Sequence, residues 1–235
     1  SWNIVLMGGI LVHSMSSYQN EEQANRPLVL KALDVLYLLW QRQKTGASVQ
    51  QHIEEAIQAF CGEDIRIQGA GRTDAGVHAL GQVASFDLEK EQAPETIMNA
   101  VNYHLDTARI SILDCEPVSL EFNALFAATA RSYVYCIINR RARLAIDAGF
   151  AWHVKRDLNV ADMQDAANLL IGKHDFSSFR AAACQAKSPV RTLSSLNIIQ
   201  DGDLIECHVS APSFLHNQVR AMVGTLSLVG SGQWG

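Results

Sequence analysis

Gly69-Ala70-Gly71-Arg72-Thr73-Asp74-Ala75-Gly76-Val77-His78-Ala79-Leu80-Gly81-Gln82 holds one carboxylate in a glycine-rich turn between two apolar runs, Ile65 to Gln68 and Gln82 to Leu88, that read as strands. Glycines at 69, 71, 76 and 81 permit backbone conformations and close approaches that a Cβ resists, so Asp74 can sit in a cleft with substrate close to the main chain. Arg72 adds a planar cation able to pair with a carboxylate, grip a phosphate or stack on a base. Taken alone, the segment reads as a phosphate cradle, a nucleophile loop or a tight turn. Two nucleotide-binding patterns are excluded. The dinucleotide fingerprint needs G-x-G-x-x-G opening a helix, which Gly76 and Gly81 would interrupt, and a phosphate loop needs a Gly-Lys-Ser/Thr that is not present.

Upstream of this loop, Ser48-Val49-Gln50-Gln51 forms a capping box ahead of Ile53, Ala56, Ile57 and Phe60 at helical spacing, with Gly62 as the stop. Downstream, Pro94 opens a second helix through Ile97, Val101 and Leu105, and Arg109 to Leu113 alternates as a strand. Arg131 to Ile138 is the clearest strand, with Tyr133, Tyr135 and Ile137 on one face. A similar cycle then recurs: a helix from Val160 to Ile171 closed by Gly172, a hairpin of Leu196 to Ile199 and Leu204 to Ala211 around Asp201-Gly202, and an apolar helix from Leu215 to Val229. Antiparallel strands mixed with helices predict an α+β fold in two related halves. Leu28 to Trp40 fits a buried strand or a helix, and periodicity does not decide between them. Ile4 to Val12 is too short to span a bilayer and lacks the basic flank of a signal peptide. The chain begins at Ser1 rather than Met, as a fragment would. The organisation expected is an atypical N-terminal segment at 1–39, an N-terminal half at 40–120 carrying the Asp74 loop, and a C-terminal half at 121–235.

With 235 residues, 48% hydrophobic and 18% charged, the chain suits a soluble globular protein with one large or two small cores. Nineteen Lys and Arg against 24 Asp and Glu give a net charge of −5, which argues mildly against a nucleic-acid binder. The charge is unevenly spread, however. Arg131, Arg140, Arg141 and Arg143, then Lys155, Arg156, Lys173, Arg180, Lys187 and Arg191, make the later part basic, while Glu54, Glu55, Glu63, Asp64, Glu89, Glu91 and Glu95 crowd the earlier part. A local basic cleft on an acidic protein satisfies both facts, as does a solvated mixed surface. The five cysteines form no C-x-x-C pair and the eight histidines no H-x-x-x-H, so neither a disulfide framework nor a metal site is expected, and reduced cytosolic thiols fit best.

The Asp74 run strongly resembles the active-site motif of the tRNA pseudouridine synthase A family, in which the aspartate of Gly-Arg-Thr-Asp-Ala-Gly-Val-His is catalytic. Further stretches in the same order are similar to that family: Trp40-Gln41-Arg42-Gln43 with Ser48-Val49-Gln50, Phe122-Asn123-Ala124, Ala128-Thr129-Ala130-Arg131-Ser132-Tyr133-Val134-Tyr135, His174-Asp175-Phe176-Ser177-Ser178-Phe179-Arg180, and Phe214-Leu215-His216-Asn217-Gln218-Val219-Arg220-Ala221-Met222-Val223-Gly224. The resemblance thus runs from about Trp40 to Trp234. It implies two ferredoxin-like (RRM-like) halves sharing an antiparallel sheet with a central active-site cleft. It also implies a tRNA-modifying isomerase that needs no cofactor, acts on uridines near positions 38 to 40 of the anticodon arm, and works as a homodimer.

Roles carry over residue by residue. Asp74 is the expected catalytic aspartate, Tyr133 the tyrosine that stacks on the flipped base, and Arg220 the arginine that approaches the aspartate and keeps it ionised. Arg72 is expected to assist flipping and fill the gap. Phe122, Asn123, Phe126, Arg131, Cys184, Gln185, Lys187 and Arg191 are expected RNA contacts, the last two to phosphates; His78 and His216 rank low as catalysts. Three departures stand out. Tyr37-Leu38-Leu39-Trp40 replaces the family's Tyr-Asp-Gly and Gly-Trp, so the first family strand is absent or replaced by unrelated sequence; the family continues beyond Gly235 with further helix and a closing strand; and Leu125 stands where the family has arginine. A catalytically inactive tRNA-binding remnant is therefore the alternative, and a glycoside hydrolase is disfavoured because the loop offers one carboxylate rather than a pair. The lack of an Arg-rich, acid-poor presequence favours a bacterial cytoplasm, with no membrane partner.

Overall fold

The computed structural model describes the backbone of residues 6–12 and 28–34 together with residues 40, 48–74, 76–145, 148–182 and 184–235. Two compact units divide the chain: one runs from Gly8 to Thr129, and the other comprises Ala130–Gly235 with the start of the first strand. The mixed α/β architecture bears out the α+β class.

In the first unit, β1 (Leu6–Val12), β4 (His78–Phe86), β2 (Leu28–Asp34) and β5 (Ile110–Pro117) lie in that spatial order, and β3 (Gln68–Gly69) adds to β4. The Leu28 run is thus a strand. It pairs antiparallel with both β4 (Leu28↔Phe86) and β5 (Leu28↔Pro117), a choice made by partners distant in sequence. Helix α1 (Val49–Cys61) starts where Ser48 Oγ accepts the Gln51 N–H at 3.1 Å and ends at Gly62, whose φ of 80° lets its N–H reach the Gln58 carbonyl. The reciprocal half of the capping box is not made, because the Gln51 side chain donates to Glu55 instead. Val49, Ile53 and Ile57 of α1 and Ile97, Val101 and Leu105 of α2 (Pro94–Leu105) pack with Ala84, Phe86, Ile110 and Ile112 into one core. Glu54 is the buried exception. Its carboxylate accepts from the Ile67 N–H, Gln50 and Arg66, so the charge lies among donors.

The second unit carries an antiparallel sheet of β10 (Ser195–Asp201), β11 (Leu204–Ala211) and β6 (Ala128–Asn139), with β7 (Trp152–Val154) parallel to β6. Asp201 pairs with Leu204 across a two-residue turn whose Gly202 has φ 56°. β8 (Gly172–Asp175) and β9 (Val190–Leu193) form a separate two-stranded ribbon, tied to β11 just after β9 where the Ser194 N–H donates to the Ser210 carbonyl at 2.8 Å. Helix α4 (Val160–Asn168) stops before the expected Ile171, its last residues tightening into i−3 turns. Helix α5 (Gln218–Gly230) starts three residues later than the apolar pattern suggests, because the Leu215 N–H is capped by the Gln218 side chain at 2.8 Å. Among the described residues no helix is long and apolar enough to cross a membrane.

Each unit fastens an edge strand to a helix with an amide side chain. Asn102 of α2 donates to the Ile112 carbonyl at 2.9 Å and accepts its N–H at 2.7 Å, on the side of β5 where no described strand pairs with it. Gln164 of α4 donates to the Leu196 carbonyl at 3.1 Å and accepts the Ile198 N–H at 2.7 Å on β10. Both strands would otherwise present free backbone groups at a sheet edge.

Candidate active site

The Asp74 loop is fixed at its base by main-chain bonds. Gly69 pairs with Ala84 across β3 and β4, the Ala70 N–H donates to the Val83 carbonyl at 2.8 Å, the buried Gln82 amide donates to the Gly71 carbonyl at 3.0 Å, and the Trp40 N–H donates to the Thr73 carbonyl at 3.3 Å. The carbonyls on both sides of Arg72 are therefore clamped, one by a side chain of β4 and one by the main chain of Trp40. Gly69 is required by a close approach: a Cβ there would lie 2.6 and 2.8 Å from Trp40 Cε2 and Cζ2 and nearer still to Nε1. The turn closes with the Val77 N–H on the Asp74 carbonyl at 3.2 Å and with Gly76 at φ 77°. Arg72 emerges exposed, Thr73 and Asp74 are half-buried, and His78 is buried in β4.

Three further expected residues flank this loop within the same unit. Asn123 caps the short helix α3 (Ala124–Ala127) by accepting the Leu125 N–H at 3.0 Å, and its amide donates to Gln68 of β3. The Ala124 N–H binds Ser85 Oγ of β4 at 3.1 Å. These bonds seat α3 beside the strand that enters the loop. Phe122 packs with Ala70, Val83 and Ala124, so it is a wall under the loop, whereas Phe126 is 84% exposed and available to a partner.

The remaining expected residues belong to the second unit. Tyr133 on β6 is half-buried and meets Phe214 edge-on with ring centroids 5.3 Å apart. Arg131, two residues earlier on the same strand, donates to the Pro212 carbonyl at 2.6 Å. Tyr135 shares that face and is fully buried against Trp152. Burial pushes its hydroxyl pKa well up, partly offset by the positive charge of Arg220 on α5. Cys184 opens the loop that leads to β9. Backbone N–H groups of Ala186 and His216, then Arg180, lower its thiol pKa. Arg180 braces this loop through the Cys184 and Ala186 carbonyls at 2.8 and 2.7 Å, and Arg191 donates to the Ser188 and Val190 carbonyls. Gln185 and Lys187 point outward, exposed. Among the described residues no three His, Cys, Asp or Glu side chains converge to hold a metal ion.

Sequence reasoning missed Trp40 and Gln82 as loop clamps and Arg180 as a brace. Gln82 left a signal, a polar residue in a strand of apolar neighbours that must find a partner when buried.

The sequence model of the tRNA pseudouridine synthase family matches residues 38–127 and 166–235. The tRNA pseudouridine synthase A of Beijerinckia indica is 55% identical over 195 residues, 83% of this chain and 75% of that protein. The enzyme of the same name from Parvibaculum lavamentivorans is 52% identical, over 83% of this chain and 79% of its own length. A solved class II 3-hydroxy-3-methylglutaryl-CoA reductase from Streptococcus pneumoniae aligns at a TM-score of 0.24 and 8% identity, covering 96% of this chain and 59% of that one, too weak to bear on the fold. On the matched range, which takes in the whole Asp74 loop, the chain belongs to the tRNA pseudouridine synthase family.

Proposed function

We infer that this chain isomerises uridine to pseudouridine in tRNA, and the observation that carries the reading is the clamped Gly-Arg-Thr-Asp loop lying inside the family match. The reaction breaks the N1–C1′ bond, turns the detached uracil and joins C5 to C1′; the C5 proton leaves to solvent and N1 gains one. Substrate and product are isomers, so no redox or energy-carrying co-substrate enters the balance. Asp74 is the group for the chemistry, either attacking C1′ or C6 or stabilising positive charge at the sugar while the C2′ proton is removed. A loop held at Ala70, Gly71 and Thr73 suits that work, because a carboxylate already in place does not have to be ordered in the transition state.

The base must leave its stack to be reached. Arg72, exposed two residues before Asp74, is the residue for the vacated space, and Tyr133 the platform for the flipped base, a contact worth ~1–3 kcal/mol. Arg220, on α5, is assigned a supporting role in the catalysis. Asn123 and Phe126 beside the loop, with Gln185 and Lys187, are the RNA contacts, whereas Phe122, Arg131, Cys184 and Arg191 act through the surfaces they shape. The finer reading is a cytoplasmic homodimer of two ferredoxin-like halves, 40–120 and 121–235 after an atypical 1–39, that modifies the anticodon arm near positions 38 to 40. The matching amide fasteners Asn102 and Gln164 support two related halves.

Unmodified tRNA carrying tritium at uridine C5 tests the reading: release of tritium with pseudouridine mapped to the anticodon arm is expected. Folded protein that binds tRNA and releases none would mark an inactive remnant.

A further inference from the structure

The basic stretch after β6 is not absorbed by the chemistry above. Residues 140 to 157 hold five of the 19 Lys and Arg, against two carboxylates: Asp147, which lies outside the described residues, and the exposed Asp157 at the end of the stretch. The fold brings the two ends of this stretch together. Strand β7 runs parallel to β6 in the register Ile137↔Trp152 and Asn139↔Val154, so the segments that follow the two strands, 140–143 and 155–156, leave the sheet at the same end.

Side-chain bonds latch them there. The Asn139 amide donates to the Val154 carbonyl at 2.9 Å and the Arg156 carbonyl at 2.7 Å, and its oxygen accepts the Leu158 N–H at 3.1 Å. The His153 ring is bonded to the Arg140 carbonyl at 2.8 Å. All these contacts engage the main chain of the basic segments and leave their charged ends outward. Arg140 pairs with Asp203 at 3.3 Å, whereas Arg141, Arg143, Lys155 and Arg156 are exposed and form no ion pair with a described residue.

We propose that Arg141, Arg143, Lys155 and Arg156 form a phosphate-binding surface that takes the sugar–phosphate backbone of the substrate tRNA, adding affinity without touching the reacting uridine. This rests on the tRNA-modifying reading above. A chain of net charge −5 that binds a polyanion needs its cations concentrated, and four exposed cations on segments latched to one end of the sheet supply counterion release at one place. An acidic protein partner fits less well, since a protein interface is built around apolar anchors and no large hydrophobic side chain described as exposed lies between Phe126 and Leu169.

The test compares wild type with the fourfold Gln variant (Arg141→Gln, Arg143→Gln, Lys155→Gln, Arg156→Gln), whose exposed positions leave the core untouched. Tritium release from C5-labelled tRNA is measured alongside tRNA Kd over a salt series, with circular dichroism and sedimentation as checks on fold and oligomeric state. Each lost phosphate contact lowers the slope of log Kd against log salt by about 0.7–0.9. The slope should therefore fall by about 3 in the variant, so that between about 50 and about 200 mM salt its Kd rises about 50- to 150-fold less than wild type's. kcat at saturating tRNA should be unchanged. Single variants should each remove about one quarter of the slope change. An unaltered slope in a folded variant overturns the proposal, and so does an unaltered slope with a changed oligomeric state, which would assign the surface to protein. A wild type that binds tRNA without releasing tritium would fail the enzymatic reading, while the slope comparison would still decide the phosphate surface.

Discussion

Gly69→Ala is the substitution that separates a clamped Asp74 loop from an ordinary surface turn. The new methyl would stand 2.6 and 2.8 Å from Trp40 Cε2 and Cζ2, where ordinary contact is 3.4–4 Å, so the indole has to retreat by ~1 Å. Trp40 is only 3% exposed, and its main chain is committed on both sides, N–H to the Thr73 carbonyl and carbonyl to the Gln50 N–H at 3.0 Å. Movement of the ring is therefore passed to Thr73, the residue before Asp74. Overpacking of this kind costs ~1–3 kcal/mol, which at ~2–4 °C per kcal/mol for a chain of this size lowers Tm by roughly 2–12 °C. A misplacement of ~1 Å at a reacting group costs up to ~100-fold in rate. Thermal unfolding and single-turnover tritium release on the same preparation measure both. Gly224→Ala makes the same chemical change in α5 where a Cβ meets nothing within 4 Å, and it should stabilise by ~0.5–1 kcal/mol. A Gly69→Ala protein with wild-type Tm and wild-type turnover would refute the argument.

Gln82→Met keeps the volume but strands the Gly71 carbonyl, so kcat should fall while the Kd for tRNA holds; a proportional loss in both would assign Gln82 to folding alone. Asn102→Ala and Gln164→Ala should each destabilise by ~1–3 kcal/mol in urea melts, because each leaves an edge-strand N–H and carbonyl without their helix partner. Burial pushes the Cys115 and Cys207 thiols up to about 12 and Cys136 up to about 11, from an ordinary 9.0. These thiols stay protonated in the folded chain while the unfolded chain ionises, so stability is full below pH 9 and declines above it, at ~1.4 kcal/mol per pH unit for each thiol. Urea melts on either side of that pH check the sign. Iodoacetamide should label Cys184 before those three, its alkylation rate levelling off below the ordinary thiol pKa; faster labelling of Cys207 would contradict the burial.

Local signals in the sequence placed α1, because Ser48 and Gly62 bound it with side-chain and backbone chemistry that needs no distant partner. The alternation of β6 was equally legible, and so was the turn that carries Asp74. The strand at Leu28–Asp34 was not, since an apolar run becomes a strand only through its pairing with β4 and β5. The start of α5 departs from the apolar pattern because Leu215 belongs to the core by burial while its N–H is held by the Gln218 side chain rather than by a helix. At the site, the motif named Asp74 and Arg72, but the residues that hold them, Trp40 and Gln82, act through carbonyls dozens of positions away or across a strand, and no local pattern encodes that. The basic residues near 140 and 155 were visible as charges. Their convergence required the parallel pairing of β6 and β7, which joins segments separated by the whole intervening loop.

Asp74→Asn, an isosteric change that removes the charge and the nucleophile, decides whether Asp74 carries the chemistry. Wild type and variant are given tRNA tritiated at uridine C5, with tRNA binding and thermal unfolding measured in parallel. Release by the wild type that falls to background in a folded, tRNA-binding Asp74→Asn protein is the result expected. Release that persists in the variant would contradict the assignment of the chemistry to Asp74.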